Sequence, residues 1–153
     1  EERLALAVAR GRHQPTALAV LYLDIDYLKQ INDRHGHAVG DVVIREFATR
    51  LVGCVRDSDL VARIGGDEFV VLTEHVEATL ASDAAERTAL AVIAAMVAPV
   101  TLEGMTLRIS TSIGIAVTQS LNNADALIAD ADRALYAAKA AGRNTWRRAE
   151  SSH

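Results

Sequence analysis

Residues 60–73 read LVARIGGDEFVVLT. Two runs of strand formers, Leu60–Ile64 and Phe69–Thr73, flank a polar tip at Gly65-Gly66-Asp67-Glu68, a pattern that predicts a β-hairpin. Further upstream, Ala17–Leu23 (ALAVLYL) is apolar on both faces and stops at Asp24. Such a run predicts a strand in the middle of a sheet. Between these strands the sequence is helical. A short helix is expected over Asp26–His35, stopped by Gly36. A longer one starts at Ala38, with Val39, Val43, Phe47 and Leu51 on one side and Asp41, Arg45 and Thr49 on another. A polar loop, Arg56-Asp57-Ser58-Asp59, leads into the hairpin.

Downstream, residues 78–98 predict a helix. Val100–Leu102 and Leu107–Val117 read as a second antiparallel pair turning at Gly104. Asn122–Ala141 predicts a helix that points Leu127, Ala131, Leu135 and Ala138 inward and ends at Gly142, its C′ residue. Thr145–Arg148 supplies a short edge strand. Residues 1–13 read as a helix ending near Gly11 and Pro15. The order βααββαββα plus a short strand implies an α+β sandwich, a mostly antiparallel sheet with helices on its faces.

With 153 residues, 50% hydrophobic and 24% charged, the chain is one folded domain rather than a disordered segment. A net charge of −4 argues against a basic nucleic-acid binder and leaves a small phosphorylated ligand open. The apolar stretch Ala89–Val100 is too short to span a membrane. A single cysteine, Cys54, makes no internal disulfide and fits a reducing compartment. The chain begins at Glu1 without a signal-peptide pattern, so it is expected to be part of a longer protein. A cytoplasmic location is expected, with other domains available as a membrane anchor.

Four features carry chemistry. Asp24-Ile25-Asp26 ends a buried strand, where an acid is costly unless something neutralises it. If that strand neighbours the hairpin, Asp67 and Glu68 join it, and the carboxylates raise each other's pKa unless a cation sits among them. Hard oxygen donors with room for water and phosphate suit Mg²⁺. The plainer alternative makes Asp26 an N-cap and Asp67-Glu68 a solvated turn. Gly65-Gly66 permits positive φ and close approach of another molecule, or is a plain turn. The junction after Asp24 offers free N–H groups around Asp26–Leu28 for phosphate oxygens, with Lys29 one turn in. Finally, the chain has only two lysines, Lys29 and Lys139. Lys139, four before Arg143 at a helix end, is either a flexible charge for phosphates or a partner of the helix dipole. His13, His75 and His153 have no metal-ligand spacing and read as solvated.

Together these residues resemble the GGDEF family, the diguanylate cyclase catalytic domains. Gly65-Gly66-Asp67-Glu68-Phe69 is the signature. Asp24 to Asp33 (DIDYLKQIND) is similar to D-x-D-x-F-K-x-x-N-D, and Gly36-His37 with Gly40-Asp41 to GH-x-x-GD. Arg63 stands two before the double glycine. Ser112–Ala116 (SIGIA) and Ala131–Lys139 (ADRALYAAK) with Gly142-Arg143-Asn144 complete the pattern over residues 17–148. Residues 1–16 are then a connector with the domain start truncated, and 149–153 a tail. A D-x-LTGLxNR segment is missing upstream of residue 17, which leaves Arg63 without its usual Asp partner. Leu28 stands where an aromatic is usual.

The resemblance implies a nucleotide-cyclase palm architecture, ferredoxin-like, with a five-stranded sheet. It implies two Mg²⁺ ions per site, with Mn²⁺ as a substitute, held by Asp24, Asp67 and the carbonyl of Ile25. Glu68 is the second acid, whether ligand or proton acceptor. Asn32 and Asp41 read guanine. The amides near Tyr27 and Leu28, with Lys29, Lys139 and Arg143, cradle the phosphates, and Gly65-Gly66 lets the nucleotide lie against the hairpin. The implied reaction joins two GTP into cyclic di-GMP, releasing two pyrophosphates, by attack of a 3′-hydroxyl across a homodimer. An upstream sensory domain is the implied partner. Arg56 and Asp59 match the RxxD product-inhibition site, with Arg87 as a further contact whose helix register fits less cleanly. The alternative is a non-catalytic module that binds GTP or cyclic di-GMP.

Overall fold

Nine consecutive buried residues make β1, Ala17–Ile25, the axis of the fold. The computed structural model describes residues 17–119 and 124–150, so the helix expected over residues 1–13 lies outside them. After β1 come α1 (Leu28–His35), α2 (His37–Val52), β2 (Leu60–Arg63), β3 (Glu68–His75) and α3 (Ala78–Ala95). The chain continues through β4 (Val100–Leu102), β5 (Met105–Leu107), β6 (Thr111–Thr118), α4 (Ala124–Ala140) and β7 (Trp146–Arg148).

The main sheet has five strands in the order β2-β3-β1-β6-β7. β1 runs antiparallel to both β3 and β6, and β2 antiparallel to β3. β7 is parallel to β6, because α4 crosses the sheet between them, and the sheet is therefore mixed. Alternation along β1 divides the core. Ala19, Leu21, Leu23 and Ile25 pack with Val43, Phe47 and Leu51 of α2 and Ala81, Ala85, Ala89 and Val92 of α3. Leu18, Val20 and Tyr22 pack with Leu127, Ala131 and Leu135 of α4. Asp24, next in the even series, therefore faces α4.

The second strand pair departs from expectation. β4 pairs only with β5, from Val100↔Leu107 to Leu102↔Met105, in a small hairpin that turns at Gly104, φ 78°. The residues from Thr111 onward instead enter the main sheet beside β1, Thr111 opposite Ile25. Leu107 closes the small ladder, Ile109 turns into the core, and Ser110 and Ser112 both donate to Asp26 at 2.6 Å. The first helix also starts later than expected, at Leu28, because Tyr27 adopts a left-handed conformation (φ 60°, ψ 26°).

Two contacts seat the helices. Gly114 of β6 lies against the backbone of α4: a Cβ there would stand 2.1 Å from the Ala131 carbonyl oxygen and 2.2 Å from the Leu135 nitrogen. Arg50 of α2, fixed by Glu46 at 2.9 Å, donates to the carbonyls of Ala95, Ala98 and Pro99 at 3.1, 2.5 and 3.3 Å. It thereby satisfies the last carbonyl of α3 and two in the turn that follows. Among the described residues no helix is long and apolar enough to cross a membrane.

Candidate active site

The two acidic stretches meet at the end of β1. The Ile25 N–H donates to the Asp67 carbonyl at 3.0 Å, and Asp24 stands opposite Glu68 in the ladder. Asp24 is 6% exposed, and Lys139 reaches from α4 to pair with its Oδ2. Its other oxygen, Oδ1, is buried with no hydrogen-bond partner. Burial, then the neighbouring Asp67 carboxylate, pushes the Asp24 pKa from 3.8 up to about 6, while Lys139 works in the opposite direction.

Among the described residues no three His, Cys, Asp or Glu side chains form a complete metal cage. The donors nevertheless fit Mg²⁺, which is commonly held by one or two carboxylates with substrate phosphates and water. The ammonium of Lys139 already stands in for a cation on one Asp24 oxygen, and the other is left bare.

Glu68 is held from below. Tyr22, two residues before Asp24 on the same face of β1, donates its hydroxyl to Glu68 Oε1 at 3.3 Å. Burial, then the negative charges of Glu68 and Asp132, pushes the Tyr22 pKa up to about 12. Arg63 is not left without a partner: it donates to the carbonyls of Gly65 at 3.0 Å and Gly66 at 2.7 Å and so shapes the hairpin tip. Neither glycine uses positive φ. What matters at Gly65 is the missing side chain, since a Cβ would press on Glu68 Oε1 at 3.3 Å.

Asp26 is neither an N-cap nor part of the acid cluster. It is buried and accepts hydrogen bonds from Ser110, Ser112 and the Asn144 amide, the last at 3.0 Å. It ties the end of β1 to the start of β6 and to the turn after α4. That turn closes as a Schellman motif at Gly142 (φ 113°), with Arg143 N–H on the Ala138 carbonyl and Gly142 N–H on that of Lys139. Lys139 and Arg143 are thereby fixed beside the start of α1, whose first turn no side chain caps. Lys29 is exposed on that helix. The Arg143 guanidinium lies over the Tyr27 ring, 5.0 Å from its centroid.

The candidate base-reading pair sits on the next two helices. Asn32 of α1 keeps a buried Oδ1 without a partner. Its amide occupies the space where Gly40 of α2 lacks a side chain: a Cβ on Gly40 would fall 1.7 Å from Oδ1. Asp41 follows, exposed.

A separate cavity of about 580 Å³ opens at the far end of the β2–β3 hairpin. Arg56 and Asp59 line it, joined by a two-nitrogen contact at 3.1 and 2.9 Å, and Arg56 also donates to the Glu74 carbonyl at 3.3 Å. Arg87 of α3 lines the same cavity. His75 is half-buried there rather than solvated, bonded to Thr73 at 2.8 Å, and burial with the two arginines lowers its pKa.

The profile of the family described as diguanylate cyclase, GGDEF domain, matches residues 1–145. The chain belongs to the GGDEF family. Diguanylate cyclase TpbB of Pseudomonas aeruginosa is 47% identical over 153 residues, which cover 98% of this chain and 34% of TpbB. The GGDEF domain thus spans about a third of that relative. The crystal structure of the TpbB GGDEF domain is similar with a TM-score of 0.88 at 44% identity, covering 99% of this chain and 93% of the other. The GGDEF domain of DgcB from Caulobacter crescentus, solved in complex with c-di-GMP, matches with a TM-score of 0.83 at 30% identity, covering 98% of this chain and 88% of that one.

Residue patterns did not disclose the parts played by Tyr22, Gly40 and Asp26 in this GGDEF domain. A signal for Tyr22 was present: it is the one polar tip in an apolar run, on the same strand face as Asp24. Gly40 and Asp26 were marked by the motif and by the acid at a buried strand end, but their partners were not, because those depend on which helix or turn folds against them.

Proposed function

We propose that this GGDEF domain is a diguanylate cyclase that condenses two GTP into cyclic di-GMP with release of two pyrophosphates. The observation that carries the reading is Asp24: a buried carboxylate with one bare oxygen, beside Asp67, on a site already lined by cations. Lys139 pairs with only one of its oxygens, and a buried carboxylate oxygen left without a partner is costly to a fold unless it serves a ligand.

In this reading Asp24 and Asp67, with the main chain at Ile25, hold Mg²⁺ or Mn²⁺. The bound metal would acidify the attacking 3′-hydroxyl and offset charge growing on the α-phosphate. The protein's own residues do the rest. Lys139, which pairs with Asp24, would with Arg143 and Lys29 offer positive charge to the phosphates. The first-turn amides of α1 face the same oxygens, and positive charge from the helix end adds to them. Asn32 and Asp41 take the guanine; an Asp accepts from N1–H and the 2-amino group together, a donor pair adenine lacks. Gly65-Gly66 keeps the hairpin tip free of side chains for the nucleotide. Glu68, steadied by Tyr22, is the second acid. Each domain carries one GTP, so the bond forms only when two copies face each other, and encounter of the domains becomes the point of control.

Arg56, Asp59 and Arg87 converge on one cavity, which supports cyclic di-GMP as a feedback inhibitor bound there: arginine can take O6 and N7 of guanine while Asp59 orients Arg56. Incubation with GTP and Mg²⁺, followed by mass detection of cyclic di-GMP, tests the cyclase reading. Asp67→Asn is expected to remove product formation and keep the fold. Full activity in that variant would overturn the assignment.

A further inference from the structure

Four described non-glycine residues have positive φ, and three of them meet at one place: Tyr27 at 60°, Arg143 at 66° and Asn144 at 50°. Asn adopts left-handed backbone readily, but for Tyr and Arg it is unfavourable and persists where the surroundings hold it. Asp26, which precedes Tyr27 in the chain, binds the Asn144 amide at 3.0 Å while Ser110 and Ser112 hold its carboxylate. The two strained turns are therefore locked side by side, and their side chains meet as a pair, the Arg143 guanidinium 5.0 Å from the centre of the Tyr27 ring.

The nature of that pair matters. Among the described residues no carboxylate pairs with Arg143. An acid would fix the guanidinium but cancel its charge and occupy its N–H donors. An aromatic face attracts the cation and leaves the in-plane donors free. Tyr27 itself is 55% exposed, so its ring is not there to fill the core.

We propose that the side chain of Tyr27 is a positioning residue that holds Arg143 ready for the terminal phosphates of the nucleotide. The proposal rests on the cyclase reading, in which Arg143 meets those phosphates. It assigns to the Tyr27 ring a role separate from its backbone amide, and makes aromatic character at position 27 a determinant of triphosphate affinity.

The test is calorimetric binding of a GTP analogue with an α,β-methylene bridge, which cannot release pyrophosphate, with GMP as the ligand lacking β- and γ-phosphates. Tyr27→Leu and Tyr27→Phe both keep a non-glycine residue in the strained position. Leu at position 27 is expected to weaken the triphosphate about threefold, the size of an exposed cation–π contact, and to leave GMP unchanged. Phe is expected to restore wild-type affinity. In an Arg143→Ala background the Leu substitution is expected to have no further effect. In turnover, KM for GTP rises and kcat is kept.

Unchanged triphosphate affinity in Tyr27→Leu would overturn the proposal. So would an equal loss for GMP, or a loss that persists without Arg143, since either would mean a structural role for the ring. Failure of the wild-type domain to bind the triphosphate at all would instead overturn the cyclase reading beneath it.

Discussion

Substituting Gly40 by Ala should separate stability from nucleotide binding. The added Cβ would lie 1.7 Å from Asn32 Oδ1 and 2.8 Å from its Cγ, where real contacts do not fall below 3.0 Å. The amide must retreat by about 1.3 Å, and since it ends a flexible side chain it can do so by leaving for solvent. Its Oδ1 has no hydrogen bond to lose on the way. Gly40 lies inside α2 with ordinary helical backbone, so Ala is the better helix former there by about 0.5–1 kcal/mol. The variant is therefore expected to unfold at the same or higher urea concentration than wild type. Binding should move the other way. Loss of one buried hydrogen bond to the guanine costs about 1 kcal/mol, close to fivefold in GTP affinity. Urea unfolding and calorimetric titration with the non-cleavable GTP analogue measure both. A folded variant that binds the analogue as tightly as wild type would refute the role given to Asn32. A variant that loses stability would refute the claim that its amide is free to move.

Three other outcomes follow from the same geometry. The raised pKa of Asp24 means that its contribution to stability is complete below about 3.8 and is lost as the pH climbs through about 6. In chelator, Asp24→Asn should therefore be more stable than wild type at pH 8, by roughly 1 kcal/mol after allowance for solvent screening, and equal to it near pH 4. Added Mg²⁺ should stabilise only the wild type, and denaturant midpoints across pH report all three. Gly114→Ala drives a Cβ into the backbone of α4 and cannot be relieved by a side-chain rotation. It should cost about 3 kcal/mol, a fall in Tm of roughly 10 °C by calorimetric scanning. Arg50→Ala removes three contacts to the end of α3 and should cost roughly 1–2 kcal/mol in urea, with affinity for the GTP analogue unchanged.

Local periodicity made most of the architecture legible. The apolar run from Ala17, the four-residue spacing from Val43 to Leu51 and the inward face of α4 each matched the structure, because burial acts on one element at a time, while Val39 stays at the edge of its face. The second strand pair failed for the complementary reason. Nothing between Met105 and Val117 marks where one ladder stops, and the break is set by Asp26, far away in sequence. The acids at 24 and 67 were legible as a cluster since each sits where a charge needs an explanation. Their neighbours were not: the contact of Tyr22 with Glu68 and the packing of Asn32 on Gly40 exist only once separate elements have come together.

The bond from the Asn144 amide to Asp26 joins residues 118 positions apart. A ribosome must therefore finish nearly all of the domain before this junction can close. Until then Arg143 has no fixed place beside Tyr27, and a chain stopped before residue 144 would display the signature hairpin without a finished pocket.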